Sequence, residues 1–384
     1  MARADRRLLV WRSGPCRPPR VIRPFSAKEI SARGDFWLWR QRPILRQCLS
    51  PPWRASMNSA SSAAAPGDLA SSSGQTAIPA PAIERVGVVG LGRMGEAFAR
   101  NLMADGYRVT VYDRSEARRD LLASAGAEAA AGLEGLAVCQ VVLTALPDDA
   151  ALAAVALGAG GLIQHLAPGA VHVSMSTVSP DLSRRLSEQH QRAGQGYVAA
   201  PVLGNPDLAH ARALFVIAAG AAPAVARVSP LLERLGQRLF LMGEDAGAAS
   251  LMKLAGNVLT ALTLQSMGEV FALLRKCGVD PHAAFDVLTN SLFDGKVHKA
   301  YGGKIVAEHY SPPGMTAPLA VKDLRLALAE AERAAVPMPA TSLVHDRLVG
   351  VVARGWAGLD WSALGLLAAS DAGLGAGQPA PQGA

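Results

Sequence analysis

Val86-Gly87-Val88-Val89-Gly90-Leu91-Gly92-Arg93-Met94-Gly95 decides the fold. A short apolar run feeds a G-x-G-x-x-G turn, and a helical run, Glu96-Ala97-Phe98-Ala99-Arg100-Asn101-Leu102, follows it. In this spacing Gly90 permits the tight turn off a strand and Gly92 lets the main chain approach a pyrophosphate. Gly95 lets helix and strand meet without a Cβ between them. The free N–H groups at the start of the helix favour an anion there. Glycine-rich turns are common, so the motif alone says little. Its context adds to it. A second strand at residues 108–113 follows the helix, and Asp113 stands about 20 residues past the loop, where a ribose-binding acid is expected. Gly90, Leu91, Gly92, Arg93, Met94 and Gly95 with Asp113 thus predict a dinucleotide-binding β-α-β unit.

The rest of the chain suits such a unit. Its 384 residues are enough for two to three domains. Half are hydrophobic and 18% are charged, so a large core can be buried. Cys16, Cys48, Cys139 and Cys277 form no C-x-x-C pair, and the eight histidines form no H-E-x-x-H. These spacings argue against a disulfide scaffold and predict no metal. The net charge of +7 is local. Residues 1–56 hold 13 basic and 3 acidic residues, and the remainder holds 25 basic and 28 acidic. The body therefore offers no electrostatic reason to bind nucleic acid. No uninterrupted apolar run reaches the ~18–20 residues of a membrane helix.

Residues 1–56 are Arg-rich and acid-poor. They read either as a mitochondrial transit peptide, which their prolines fit badly, or as upstream sequence foreign to the working protein. The expected location is cytoplasmic, with the mitochondrial matrix as the alternative. Residues 57–82 are rich in Ala, Ser, Gly and Pro, and 1–83 as a whole are expected to be a disordered leader and linker. From 84 to 245, apolar strands alternate with helical patterns, which predicts an α/β doubly wound parallel sheet covered on both faces. At Ala246–Lys276 the period changes, and a single proline-free helix of ~45 Å is expected. Helices at 281–291, 321–334 and 340–354 make 246–370 an all-α domain joined to the first by that helix. Residues 371–384 read as a loose tail.

Ligands on such sheets bind at the carboxyl ends of strands. Leu146-Pro147, Ser176-Thr177 and Pro201-Val202-Leu203-Gly204-Asn205 mark three of them. Lys253 and Asn257 share a face of the long helix at i and i+4. A lysine in this apolar run near a helix N-terminus is either desolvated, with a lowered pKa suited to proton exchange, or snorkels to solvent.

Taken together these motifs resemble the β-hydroxyacid dehydrogenase family over about 84–368. The resemblance rests on Gly90 to Gly95, Leu146-Pro147-Asp148, Ser176-Thr177 with Pro180, and Ala200-Pro201-Val202 with Gly204. It continues through Gly247, Lys253 with Asn257, Gly278-Val279-Asp280-Pro281, Lys322-Asp323-Leu324 and Asp360-Trp361-Ser362-Ala363. It implies a Rossmann-type first domain, a 6-phosphogluconate-dehydrogenase-like second domain and a homodimer or homotetramer. It also implies hydride exchange between a nicotinamide cofactor and a small hydroxy acid or aldehyde. In that reading Lys253 is the general acid/base and Asn257 holds the substrate oxygens. Ser176, Leu203, Gly204 and Asn205 line the substrate pocket, while Leu146, Pro147, Thr177 and Lys322 contact the cofactor. Two departures matter. Where the family usually has Ser-Gly-Gly, this chain has Leu203-Gly204-Asn205, and Arg212-Ala213-Leu214 replaces a usual Gly-Thr-Leu. Leu203 points to a less polar carbonyl or imine as the alternative substrate, and lost activity in a cofactor-binding scaffold is a third reading. Asp113 favours NAD, whereas Arg114-Ser115 could take a 2′-phosphate, and the balance leans slightly to NADP.

Overall fold

The computed structural model describes residues 83–375. The readings of 1–82 and of the last part of the tail lie outside them. The first domain runs β1 (Arg85–Val89), α1 (Arg93–Ala104), β2 (Arg108–Tyr112), α2 (Glu116–Ala123), β3 (Glu128–Ala129), β4 (Val141–Thr144), α3 (Asp149–Leu157), α4 (Leu162–His165) and β5 (Val171–Ser174). It continues through α5 (Pro180–Arg192), β6 (Gly196–Ala199), β7 (Val202–Leu203), α6 (Pro206–His210), β8 (Leu214–Gly220), α7 (Ala222–Leu235) and β9 (Gly236–Leu241).

The sheet order is β3-β2-β1-β4-β5-β6-β8-β7, with β9 on β8. β1 to β6 pair in parallel. β8 runs antiparallel to β6, so the expected parallel sheet ends in a reversed edge of β8 and β9. The reason is local. α6 has five residues, ~7 Å at the helical rise, and cannot carry the chain back along the sheet for another parallel strand. One face buries Val86, Val88, Val109, Val111, Leu143 and Val173 under α1 and α7. The other buries Tyr197, Ala199 and Ile217 under α5 and the start of α8.

α8 spans Ala246–Lys276, the expected bounds. Asp245 caps it, its carboxylate accepting from Gly247 N–H at 2.9 Å. Ala246 and Ala249 lie in the sheet core, while Leu254 to Phe271 found the helical core. By length and composition α8 could cross a membrane, but half of its most apolar window is buried within the protein. Around it stand α9 (Pro281–Thr289), α10 (Lys296–Val306), α11 (Ala317–Arg333), α12 (Pro339–Ala353) and α13 (Leu364–Asp371). The sequence reading missed α10 and α13. α10 contains a Gly302-Gly303 pair that reads as a loop, and α13 is apolar on every side because it is almost wholly buried.

Candidate active site

Strand register builds the site. Val89 pairs with both Tyr112 and Thr144, Thr144 with Ser174, and Ser174 with Ala199. The five strand ends are therefore level, and Gly90, Asp113, Leu146-Pro147, Ser176-Thr177 and Leu203-Gly204-Asn205 emerge along one edge of the sheet.

The glycine loop does what its spacing requires. Gly90 has φ +87°, and a Cβ at Gly95 would collide with the carbonyl oxygen of Gly90. A Cβ at Gly92 would meet nothing within 4 Å. That open cradle sits at the N-cap of α1, beside a cleft of about 250 Å³ lined by Leu91, Gly92, Arg93, Glu96 and Arg118. The cradle and the cations fit a dinucleotide's phosphates. Met94 is half-buried against the sheet core, and Arg93 donates to the carbonyl of Pro313 in the helical domain.

Asp113 has a task besides the expected one. Its Oδ2 accepts from Leu91 N–H at 2.7 Å and its Oδ1 from Ser115 N–H at 2.8 Å. The carboxylate ties the glycine loop to the start of α2, and each oxygen keeps a second acceptor site. Arg114 is exposed beside it, the Ser115 hydroxyl makes no cap bond, and Arg118 lies 3.6 Å from Asp113. Sequence reasoning missed Arg118, which one turn of helix brings to the same edge.

Two expected substrate residues are bonded to main chain, and a third is set by its backbone angle. Ser176 Oγ accepts from Leu146 N–H at 2.9 Å and donates to Thr144 O at 3.3 Å. Asn205 caps α6, its Oδ1 accepting from Leu208 N–H at 2.9 Å. Gly204 sits at φ +143°, which an L side chain rarely adopts. Ser176 and Gly204 thus shape the strand ends, and Asn205 turns one acceptor site of its oxygen to α6. Leu203 packs toward α8, where Gly256 makes room for it. A Cβ at Gly256 would stand 2.9 Å from Leu203 Cδ2. Leu203 is thereby seated beside the turn that carries Lys253 and Asn257.

The remaining residues form one chain of contacts. Lys253 Nζ donates to Asn257 Oδ1 at 3.0 Å, and Asn257 Nδ2 donates to Asp323 Oδ2 at 2.5 Å. Asp323 Oδ1 lies 2.9 Å from Lys322 Nζ, which donates to Thr177 O at 2.5 Å. Lys253, Asn257 and Asp323 are buried. Burial lowers the Lys253 ammonium to about 8, with the Asp323 charge opposing the shift and the Lys322 charge adding to it. The helix dipole, part of the reasoning from sequence, fades within the first turn and Lys253 lies two turns in. Asp323 was missed as a site residue. Its signal was present: Ala320, Leu324, Ala327 and Ala331 make the buried stripe of α11, and Asp323 is the acid within it. Among the described residues no cluster of His, Cys, Asp and Glu could hold a metal ion.

Residues 85–243 match the family model described as the NAD binding domain of 6-phosphogluconate dehydrogenase. Residues 247–367 match the one described as NAD-binding of NADP-dependent 3-hydroxyisobutyrate dehydrogenase. An uncharacterized oxidoreductase of Bacillus subtilis is 36% identical, covering 73% of this chain and 98% of its own. Glyoxylate/succinic semialdehyde reductase 1 of Arabidopsis thaliana is 30% identical, covering 73% and 96%. The fold matches a crystal structure of 3-hydroxyisobutyrate dehydrogenase from Salmonella typhimurium at a TM-score of 0.67 and 24% identity, covering 74% of this chain and 99% of that one.

Proposed function

Because this chain belongs to the β-hydroxyacid dehydrogenase family, and so is an NAD(P)-dependent oxidoreductase acting on CH–OH, we propose that Lys253 is its general acid/base and NADP its preferred cofactor. The carrying observation is the Lys253–Asn257–Asp323–Lys322 chain at the carboxyl edge of the sheet, its first three members buried. When bound, the nicotinamide supplies or accepts the hydride. Lys253, poised near neutral pH, gives a proton to the carbonyl oxygen in reduction and takes the hydroxyl proton in oxidation. Asn257 orients the ammonium, and Asp323 fixes the Asn257 amide so that its oxygen faces Lys253. Burial keeps water from competing for the proton. The relatives' names favour a small hydroxy acid or its aldehyde over an imine.

Preference for NADP is supported by Arg114 and Arg118, exposed at the start of α2. A panel of small aldehydes and hydroxy acids, followed by NADPH and NADH absorbance with Lys253→Ala alongside, tests the reading. Full activity in the alanine variant sinks it.

The same reading includes self-association. α8 exposes Leu251, Leu259, Val270 and Leu273 in one stripe, an apolar face suited to a second copy. Leu259→Glu should lower the mass measured by light scattering, and a wild-type monomer would end this part of the proposal.

A further inference from the structure

A hydrogen-bonded chain crosses the sheet domain behind the site. Gln195 Nε2 donates to the carbonyls of Ile163 at 3.1 Å and Leu166 at 2.6 Å, so its Oε1 is an acceptor. That oxygen lies 2.8 Å from His190 Nδ1, which must carry the proton. A neutral His190 then accepts at Nε2, and His172 Nδ1, 2.8 Å away, must donate. His172 Nε2 is left as an acceptor, and the Thr144 hydroxyl at 3.0 Å donates to it. With both rings neutral, every direction in the chain follows from the Gln195 amide.

Among the described residues nothing charged supports a proton on either ring. Both imidazoles are fully buried. Tyr197 of β6 lies edge-on to His172 and stacks on His190, with centroids 5.3 Å and 5.7 Å away. β4 presents Thr144, and residues 163–166 present main-chain carbonyls. Asp149 at the start of α3 acts on Tyr197, and its own oxygens are taken by Ser179. Burial holds His190 down at about 4 and His172 well below its ordinary value.

The chain ends where the cofactor site begins. Thr144 is the last residue of β4. Its carbonyl accepts from Met175 N–H at 2.9 Å and from Ser176 Oγ–H, and the same Ser176 oxygen holds Leu146 N–H. We propose that His172 and His190 are positioning residues: the neutral pair clamps Thr144, and through it the Leu146-Pro147 loop at the cofactor edge. Taking up a proton turns Thr144 from donor to acceptor and places an imidazolium where no acid meets it. The buried, uncompensated charge then destabilises the end of β4 that carries the loop, and cofactor affinity falls while the proton chemistry at Lys253 is untouched.

The test uses the full chain with NADPH. In protein labelled with 15N-histidine, two imidazoles should carry their proton on Nδ1 and stay neutral from pH 7.5 down to about 5. The Kd for NADPH should begin to rise below that pH, as these two resonances titrate. Thr144→Val should raise that Kd about fivefold to tenfold, the equivalent of one net hydrogen bond, with kcat at saturating cofactor near wild type. Thr144→Ser should restore it. The proposal is overturned if either ring carries its proton on Nε2 or titrates near 6.5. It is equally overturned if the valine variant binds NADPH as wild type does, or if serine does no better than valine. The labelled wild type decides the matter if the valine variant fails to fold.

Discussion

The Lys253 ammonium rests 3.0 Å from the side-chain oxygen of Asn257, one turn along α8, and among the described residues no carboxylate pairs with it directly. Its protonation is therefore set by burial, which brings it to about 8. In reduction the protonated form is the acid, so kcat/KM should fall as pH rises through about 8. In oxidation the neutral form is the base, so the rate should rise through the same value. Lys253→Ala should lose about 10²–10⁴ of kcat. Initial rates in both directions from pH 6 to 10 check this, and equal pH slopes in both would contradict it.

Among the described residues Asp323 is the one acid acting on Lys253, and it opposes the effect of burial. Asp323→Asn should therefore move the Lys253 limb to lower pH. It should also lower kcat, because Asn257 loses the charged acceptor that orients its amide. A pH–rate profile that keeps its limb in place would show that the two residues are not coupled.

Asp113 and Arg114 are neighbours with separable effects. Asp113→Ala strips the acceptor from both Leu91 N–H and Ser115 N–H, so the glycine loop loosens. KM should rise by about tenfold or more for NADPH and NADH alike. Arg114→Ala should raise KM for NADPH far more than for NADH. Equal effects of Arg114→Ala on the two cofactors would remove the support for NADP.

Two glycines three residues apart should fail in different ways. Gly92→Ala adds a Cβ into open space at an ordinary φ of −67°, so the protein should fold with its melting temperature nearly unchanged. Cofactor affinity should drop, since that space is where phosphates would approach. Gly95→Ala drives a Cβ into the Gly90 carbonyl and should lower stability by several kcal/mol, of the order of core overpacking or more. Thermal melts with and without NADPH separate the two outcomes.

Much of this was legible in the chain. The glycine loop, the alternation of strand and helix, and the bounds of α8 came from short-range pattern. So did the pairing of Lys253 with Asn257, because i and i+4 share a helix face. Legibility ended where partners come from far along the chain. Asp113 meets Leu91 22 residues away, and Asn257 meets Asp323 66 residues away. The reversed edge strand was hidden for a different reason: an apolar strand shows its burial and not its direction.

The sequence by itself determined which residue types could bind a dinucleotide and move a proton, because periodicity and loop spacing are properties of neighbours. Only the tertiary structure decided what each does. It put Ser176, Asn205 and Asp113 to work on the main chain, and it sealed Lys253 away from water beside Leu203. It also lined up two histidines behind the cofactor edge. Hydrogen-bond direction and desolvation depend on what surrounds an atom in space, and the linear chain does not carry that information.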